Sequence, residues 1–195
     1  MNRILTVLTV GALCFVLTGC PIVGSKEIMG DNAAKVSPGK WNGNWVSDDS
    51  VIQVKVTEPD KGILEVYFLQ NKKKQGPYKV YLRDVNGHIV ASVKDKEPDY
   101  YLWSVVEVKD DFGYLMLLNM KKFRELIEAG ELPGKIIKTV PVLDKLSDKQ
   151  RNDVISKAAN DFEYRQGVTF VRLEGLDSIR KNAEKLIKEA KPEKP

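Results

Sequence analysis

Residues 79–94 read KVYLRDVNGHIVASVK, two runs of alternating side chains that meet at Asn86-Gly87. Asn-Gly between such runs is the strongest short-range signature of a type I′ β-hairpin. The flanking runs, Lys79 to Val85 and His88 to Lys94, are rich in valine and isoleucine, which favour strands. This stretch predicts an antiparallel β-sheet at the centre of the chain.

The same pattern continues in both directions from this hairpin. Between residues 51 and 57, Ile52, Val54 and Val56 alternate with polar side chains, as in a half-buried strand. Short polar turns separate further strands, which we predict at 41–46, 63–70, 100–109 and 114–119. Seven consecutive strands joined by short turns predict an antiparallel meander. Such a sheet must curl, close or be covered to protect its edges.

The last third of the chain changes to helical periodicity. Apolar stripes predict helices over 120–127 and over 176–190, and a capping box of Ser147 and Gln150 predicts one that continues to Phe162. Short strands are predicted at 136–140 and 168–173. We therefore expect an α+β fold over residues 41–190, with an antiparallel sheet or barrel of about seven to nine strands, then about three helices, and a frayed tail over 191–195.

The N-terminus has the composition of a targeting segment. Met1-Asn2-Arg3 is positively charged, and Ile4 to Leu17 is apolar and without charge. The run is shorter than the roughly 20 residues that a permanent membrane span requires. An ordinary cleaved secretory signal is one interpretation.

The last residues of this segment, Leu17-Thr18-Gly19-Cys20, resemble the lipobox of bacterial lipoproteins. The resemblance implies that residues 1–19 are a removed signal peptide. It also implies that the Cys20 thiol carries a diacylglycerol thioether and its amine an acyl chain. Several acyl chains give stable membrane anchoring. The chain would then be an envelope protein facing the periplasm, and the absence of Asp at position 21 favours the outer over the inner membrane.

Charge and cysteine content constrain the exported part. Cys14 would be removed and Cys20 lipidated, so the domain must fold without disulfides. Removal of residues 1–19 takes away one charged residue, Arg3, and lowers the net charge from +4 to +3. This charge is too small to indicate nucleic-acid binding. Residues 20–40 show no sustained periodicity, and we predict a flexible tether there with a reach of roughly 25 Å.

Gly43-Asn44-Trp45 resembles the Gly-x-Trp opening of lipocalins. The resemblance implies a closed barrel that holds one small apolar ligand, with Trp45 plugging the closed end. Gly43 and Trp45 would therefore have structural roles. The alternative is a tryptophan that caps the core of some other β-sheet.

The densest positive charge of the sheet region is Lys72-Lys73-Lys74, followed by Lys79, in a segment predicted as a basic loop over 71–78. On a lipid-tethered protein these lysines are candidates for contact with anionic headgroups or a polyanionic envelope polymer. A solvated loop is the alternative.

Residues that could support catalysis are few. His88 is the single histidine and follows the hairpin turn, where solvation explains it. Asp111-Phe112-Gly113 matches the magnesium-binding triplet of kinases, but a turn accounts for these residues. The acidic pairs Asp48-Asp49 and Asp110-Asp111 lack the spacing of an EF-hand. A carboxylate pair could in principle cleave glycosides, yet no spacing nominates one. We predict a non-enzymatic protein with no metal site and no cofactor beyond the covalent lipid.

Two functions remain for a lipid-anchored envelope protein with these features. The favoured one is an interaction or scaffold protein within an envelope protein complex. The alternative is a carrier of a lipid or small hydrophobic ligand. Helices that lie across the sheet and fill it would favour the scaffold, whereas a closed barrel with an open apolar lumen would favour the carrier.

Overall fold

A computed structural model describes residues 23–47, 50–70, 73–94, 99–161 and 164–173. Its helices are α1 (Pro38–Trp41), α2 (Met120–Glu128) and α3 (Asp148–Asn160). Its strands are β1 (Gly24–Ser25), β2 (Gly43–Ser47), β3 (Ser50–Glu58), β4 (Ile63–Gln70), β5 (Lys73–Val85), β6 (His88–Lys94), β7 (Tyr101–Lys109), β8 (Phe112–Leu118), β9 (Gly134–Ile137), β10 (Val140–Leu143) and β11 (Arg165–Arg172).

Eight of these strands form a closed antiparallel barrel. Strands β2 to β8 pair in chain order, β8 then pairs with β11, and β11 returns to β2 through Val171 opposite Val46. Because the barrel is closed, each of the eight strands pairs with a neighbour on both sides over at least part of its length. The predicted α+β fold with an antiparallel barrel of seven to nine strands is confirmed.

The central hairpin has the predicted turn. Val85 pairs with His88, and the two residues between them, Asn86 and Gly87, have φ angles of 53° and 82°. A type I′ turn requires positive φ at both positions, which Asn and Gly tolerate best. Local sequence chemistry therefore sets the register of β5 and β6.

The sheet branches at the start of β7. The later part of β7 pairs with β8, while its first residues, Tyr101 and Leu102, pair with Ser25 and Gly24 of β1. Strand β1 also pairs in parallel with β10, and β10 forms a hairpin with β9. The region predicted as one strand over 136–140 is thus two short strands, which extend the barrel wall beyond the end of β8.

The two longer helices pack on the outside of the barrel. Phe123 of α2 and Ile155 of α3 are completely buried against outward-facing residues of the wall such as Val90, Val105 and Leu118. The rings of Phe123 and Trp103 meet edge to face, with centroids 5.9 Å apart. The helices therefore cover the wall and leave the lumen unoccupied by them.

Both of these helices were predicted, and the Ser147–Gln150 capping box is present at the start of α3. The third predicted helix, over 176–190, and the tail over 191–195 lie outside the described residues. The short helix α1 was not predicted. The prediction of a loop over 71–78 is wrong from Lys73 onward, because this segment continues β5 as a paired strand.

The prediction of a flexible tether over 20–40 is wrong for residues 23–40. Val23, Met29 and Ala34 are almost completely buried. The backbone N–H of Met29 donates to Ser92 Oγ at 3.3 Å, and that of Ala34 donates to the Leu82 carbonyl at 3.1 Å. The apolar residues of this segment fill separate sites on the barrel at irregular intervals, so they produce no periodic pattern. The folded unit therefore extends at least to Val23.

Replacing Phe123 with alanine should lower the free energy of unfolding by about 3–5 kcal/mol, because it removes a fully buried ring between barrel and helices. Chemical denaturation followed by circular dichroism would measure the change. Lys121→Ala on the same helix, where the side chain is 87% exposed, should change it by less than about 0.5 kcal/mol. Equal losses in the two variants would contradict the assignment of this core.

Candidate functional site

The barrel lumen is defined by strand alternation and register. Directly paired residues of neighbouring strands point to the same side of a sheet. The pairs Trp45–Ile52, Val54–Val66 and Leu64–Val80 therefore share one face, and the register carries it around the barrel. The apolar side chains on this face form one cluster that includes Trp45, Val54, Leu64, Val66, Val80, Leu82, Val106, Val108 and Phe170. This face is the inside of the barrel.

One end of the lumen is closed by Trp45, which is 3% exposed. Its indole Nε1–H donates to the Trp41 carbonyl of α1 at 3.1 Å. The Arg172 guanidinium lies 4.9 Å from the Trp45 ring centroid, a cation–π distance. Gly113 lies on the neighbouring wall, and a Cβ there would approach the ring to 3.4 Å. The tryptophan is thus enclosed by α1, Arg172 and the wall.

Arg172 also joins helix α1 to the barrel. Its Nη1 donates to the Gly39 carbonyl at 3.2 Å and its Nη2 to the Lys40 carbonyl. Its Nε lies 3.7 Å from Asp111 Oδ1, in the turn between β7 and β8. A single charged side chain therefore connects the first helix, the plug residue and the last barrel strand. We call this region the closed end.

Part of the inner face is accessible to solvent. Along β6 and β7, the outward-facing residues Val90 and Val105 are 0% and 2% exposed because the helices cover them. Their inward-facing neighbours Ala91 and Val106 are nevertheless partly exposed. The wall is therefore better covered from outside than from inside. We call the end of the barrel opposite Trp45, which carries the β2–β3, β4–β5 and β6–β7 connections, the mouth.

Small side chains widen the lumen on one side. Ala91 of β6 lies directly opposite Ser104 of β7, and both face inward. The Ser104 hydroxyl donates to the Met116 carbonyl at 2.7 Å, so its hydrogen-bonding capacity is used within the wall. Because both side chains are small, they leave space in the lumen that larger side chains at these positions would fill. The surrounding inner surface is apolar.

Two polar side chains lie on the inner face nearer the mouth. Tyr78 contacts Phe68 edge to face at 5.6 Å, and Gln75 pairs in register with Phe68. Burial raises the pKa of the Tyr78 phenol, so this group is neutral at pH 7. Gln75 Oε1 is buried and lacks a hydrogen-bond partner. A lumen that is apolar with a few polar groups is the usual composition of a small-molecule site.

The other predicted site residues are distributed as follows. Gly43 and Trp45 lie at the closed end, whereas the lipobox residues Leu17, Thr18, Gly19 and Cys20, together with Lys72, lie outside the described residues. Lys73, Lys74 and Lys79 lie in β5. Lys74 Nζ donates to Gln53 Oε1 at 2.8 Å and lies 3.9 Å from the Tyr67 ring centroid. Lys79 Nζ lies 5.4 Å from the ring centroid of Tyr81.

The remaining residues considered for catalysis or metal binding lie in different parts of the structure. His88 pairs with Val85 beside the hairpin turn, and Asp111 lies near Arg172 at the closed end. Asp48 and Asp49 are outside the described residues. Within the described ranges, no group of three or more His, Cys, Asp or Glu side chains could hold a metal ion. None of the described helices is long and apolar enough to cross a membrane.

The sequence interpretation missed the role of Arg172 and the open inner face at Ala91 and Ser104. Arg172 could have been noticed as a charged residue within the apolar strand predicted over 168–173. The accessibility of the lumen depends on closure of the whole barrel and carries no local signal.

Replacing Arg172 with glutamine should lower the free energy of unfolding by about 1–2 kcal/mol, because it removes the cation–π contact and weakens the bonds to α1. Hydrogen exchange should also become faster in residues 38–42. Thermal denaturation and exchange mass spectrometry would measure the two effects. Lys109→Gln, an exposed charge at the same end, should change neither, and unchanged exchange in the Arg172 variant would contradict its role.

No protein-family model, curated protein or solved structure matches this chain, so its function must be inferred from the geometry of the barrel.

Proposed function

We propose that the protein is a lipid-anchored envelope carrier that holds a hydrophobic molecule in its barrel lumen. The supporting observation is an apolar inner face that remains accessible inside a closed barrel while the helices lie outside. Helices that fill the curved sheet would have favoured the scaffold interpretation. The positions of α2 and α3 therefore favour the carrier.

The size and lining of the lumen limit the class of ligand. An eight-stranded barrel has room inside for side chains or for one small ligand. Here the closed half is filled by Trp45, Leu64 and Leu82, which are all nearly fully buried. The accessible half is lined by alanine, valine, leucine and phenylalanine side chains, with Tyr78 and Gln75 nearer the mouth. A single acyl chain or a molecule of similar width, with a polar group toward the mouth, fits this arrangement.

Lipid attachment at Cys20 forms the second part of the proposal. The lipobox residues support it, and several acyl chains would hold the protein on a membrane. Strand β1 begins at Gly24 and Val23 is already buried, so three peptide units separate Cys20 from the packed domain. They span at most about 11 Å, in place of the roughly 25 Å expected for a long tether. A carrier held so close to a bilayer could exchange its ligand with it directly. We place the domain on the periplasmic side, and the outer membrane is favoured over the inner.

Filling the lumen should abolish ligand binding without unfolding the barrel. In Ala91→Phe, the ring would occupy the space beside Ser104, and affinity for the neutral apolar probe N-phenyl-1-naphthylamine should fall by about tenfold or more. Probe fluorescence titration would measure it. Thr169→Phe places the same ring on the exposed outer face of β11 and should leave affinity unchanged. Unaltered binding in the Ala91 variant, with an intact thermal transition, would exclude the lumen as the site.

Replacing Cys20 with serine in the full chain should abolish incorporation of radiolabelled palmitate in the host and prevent the lipid-dependent cleavage. Labelling followed by membrane fractionation would measure both. A variant that is cleaved normally and released as a soluble protein would indicate an ordinary secretory signal. A wild-type protein that carries no label and keeps residues 1–19 would contradict the lipid anchor.

A further inference from the structure

The outer face of strands β4 to β7 carries a row of tyrosines that alternate with basic side chains. Lys74 Nζ lies 3.9 Å from the ring centroid of Tyr67. Two cations lie near the ring centroid of Tyr81: Lys79 Nζ at 5.4 Å and the Arg83 guanidinium at 5.8 Å. Lys94 Nζ lies 5.8 Å from the ring centroid of Tyr101. Tyr81 and Tyr101 also contact each other edge to face at 6.2 Å. We call these seven residues the basic–aromatic stripe.

The register places the stripe outside the barrel. Lys79 pairs with Glu65, Tyr81 with Ser92 and Lys94 with Tyr101, and their neighbours along each strand face the lumen. The helices cover the wall further along, at Val90 and Val105. Lys74, Lys79 and Lys94 are exposed to solvent.

The stripe has an excess of positive charge. Among the described residues, three acidic ones lie near it. Glu65 accepts from the Tyr67 hydroxyl at 3.2 Å. The hydrogen bond from Lys61 lowers the pKa of Glu58, and the charge of Lys79 contributes to the same shift. Asp99 lies 2.8 Å from Lys94 Nζ. That contact raises the pKa of Lys94 and keeps it charged. Four basic residues thus face three acidic ones, of which Glu58 is already paired with Lys61 at 2.8 Å. Tyrosines beside lysines and arginines suit a bilayer interface, where rings lie at the headgroups and cations attract anionic lipids.

We propose that the basic–aromatic stripe docks the protein on an anionic bilayer with the barrel mouth toward the headgroups. The entry point of the chain selects a bilayer over a soluble polyanion. Ser25 pairs with Tyr101 of the stripe, and the Val23 carbonyl accepts from the Trp103 N–H at 3.4 Å. Cys20 is three residues, at most about 11 Å, from Val23. A lipid on Cys20 would therefore enter the membrane beside the stripe, and both would contact the same surface.

One end of the stripe adjoins the mouth, whereas Arg83 lies toward the closed end, where its Nη1 donates to the Lys61 carbonyl at 3.0 Å. Lys74 pairs with Leu69, a large apolar side chain that is 39% exposed, and Lys94 and Tyr101 are the residues at which β6 ends and β7 begins. Docking through these residues would bring the lumen to the headgroups. This consequence rests on the proposed carrier function, and the choice of a bilayer as the docking surface rests on the proposed lipid at Cys20.

Vesicle binding tests the docking. The chain from residue 20 onward, with Cys20→Ser, retains every described residue and excludes the lipid. It should sediment with vesicles of phosphatidylcholine and phosphatidylglycerol, fail to sediment with phosphatidylcholine alone, and dissociate between 0.05 and 0.5 M NaCl, concentrations chosen to screen charge. Equal binding to both vesicles, or no binding to either, would overturn the proposal.

Matched variants identify the surface. The double variant Lys74→Gln and Lys94→Gln should bind anionic vesicles about tenfold more weakly or worse, because each lysine near the membrane surface contributes substantially to the binding free energy. Lys40→Gln with Lys109→Gln removes the same charge from exposed positions at the closed end and should weaken binding by less than about threefold. Equal losses would mean that net charge, and not the stripe, determines binding. Both variants should still bind N-phenyl-1-naphthylamine, so that a failed lumen and a failed docking surface are distinguishable.

A fluorophore near the mouth tests the orientation. The chain from residue 20 onward with Cys20→Ser contains no other cysteine, so Leu69→Cys can be labelled alone with an environment-sensitive dye. Its emission should shift to shorter wavelength on anionic vesicles. The same dye at Lys109→Cys should not shift. A shift at position 109 alone would place the closed end on the membrane and overturn the proposed orientation.

Discussion

The architecture depends on the pairing of β11 with both β8 and β2. Seven residue pairs join β11 to β8, and Val171 and Arg172 then reach Val46 and Trp45. Without this strand, β2 and β8 would be open edges that could pair with other chains. Helices α2 and α3 lie between β8 and β11 in the sequence, and they pack on the outside of the barrel that β11 closes. The closed wall therefore separates these two helices from the lumen.

Most elements could be predicted from the sequence because their signals are local. The Asn86-Gly87 turn, the alternation at Ile52, Val54 and Val56, and the capping box at Ser147 each specify a structure within a few residues. Closure and branching could not be predicted, because they depend on contacts between distant residues. The burial of Val23 and Met29 was missed for a related reason. Each fills a separate site on a surface that exists only after the barrel has formed.

The candidate site was only partly visible in the sequence. The strand over Tyr114 to Leu118 is apolar on both faces and indicates surplus apolar surface, but the sequence does not show which face of a strand lies inside the barrel. The structure separates the two faces: Val90 and Val105 pack against helices, while Ala91 and Val106 face an accessible interior. The lysines at 74 and 79 were noticed as charge alone. The contact of Lys74 with Tyr67 depends on the register between β4 and β5, which the sequence does not supply, whereas Lys79 and Tyr81 share one face of β5.

The position of β1 has a mechanical consequence. A pull on the N-terminus is transmitted first to Gly24 and Ser25, which are bonded to β7 on one side and to β10 on the other. Gly24 fits tightly there, since a Cβ would come within 2.9 Å of the Tyr100 ring. Extraction of β1 would remove the backbone pairing between the β9–β10 hairpin and the barrel wall and leave the packing of Val142 against Leu102. Tension on the N-terminal segment therefore acts first on the junction between hairpin and wall, and the closed barrel bears it only afterwards.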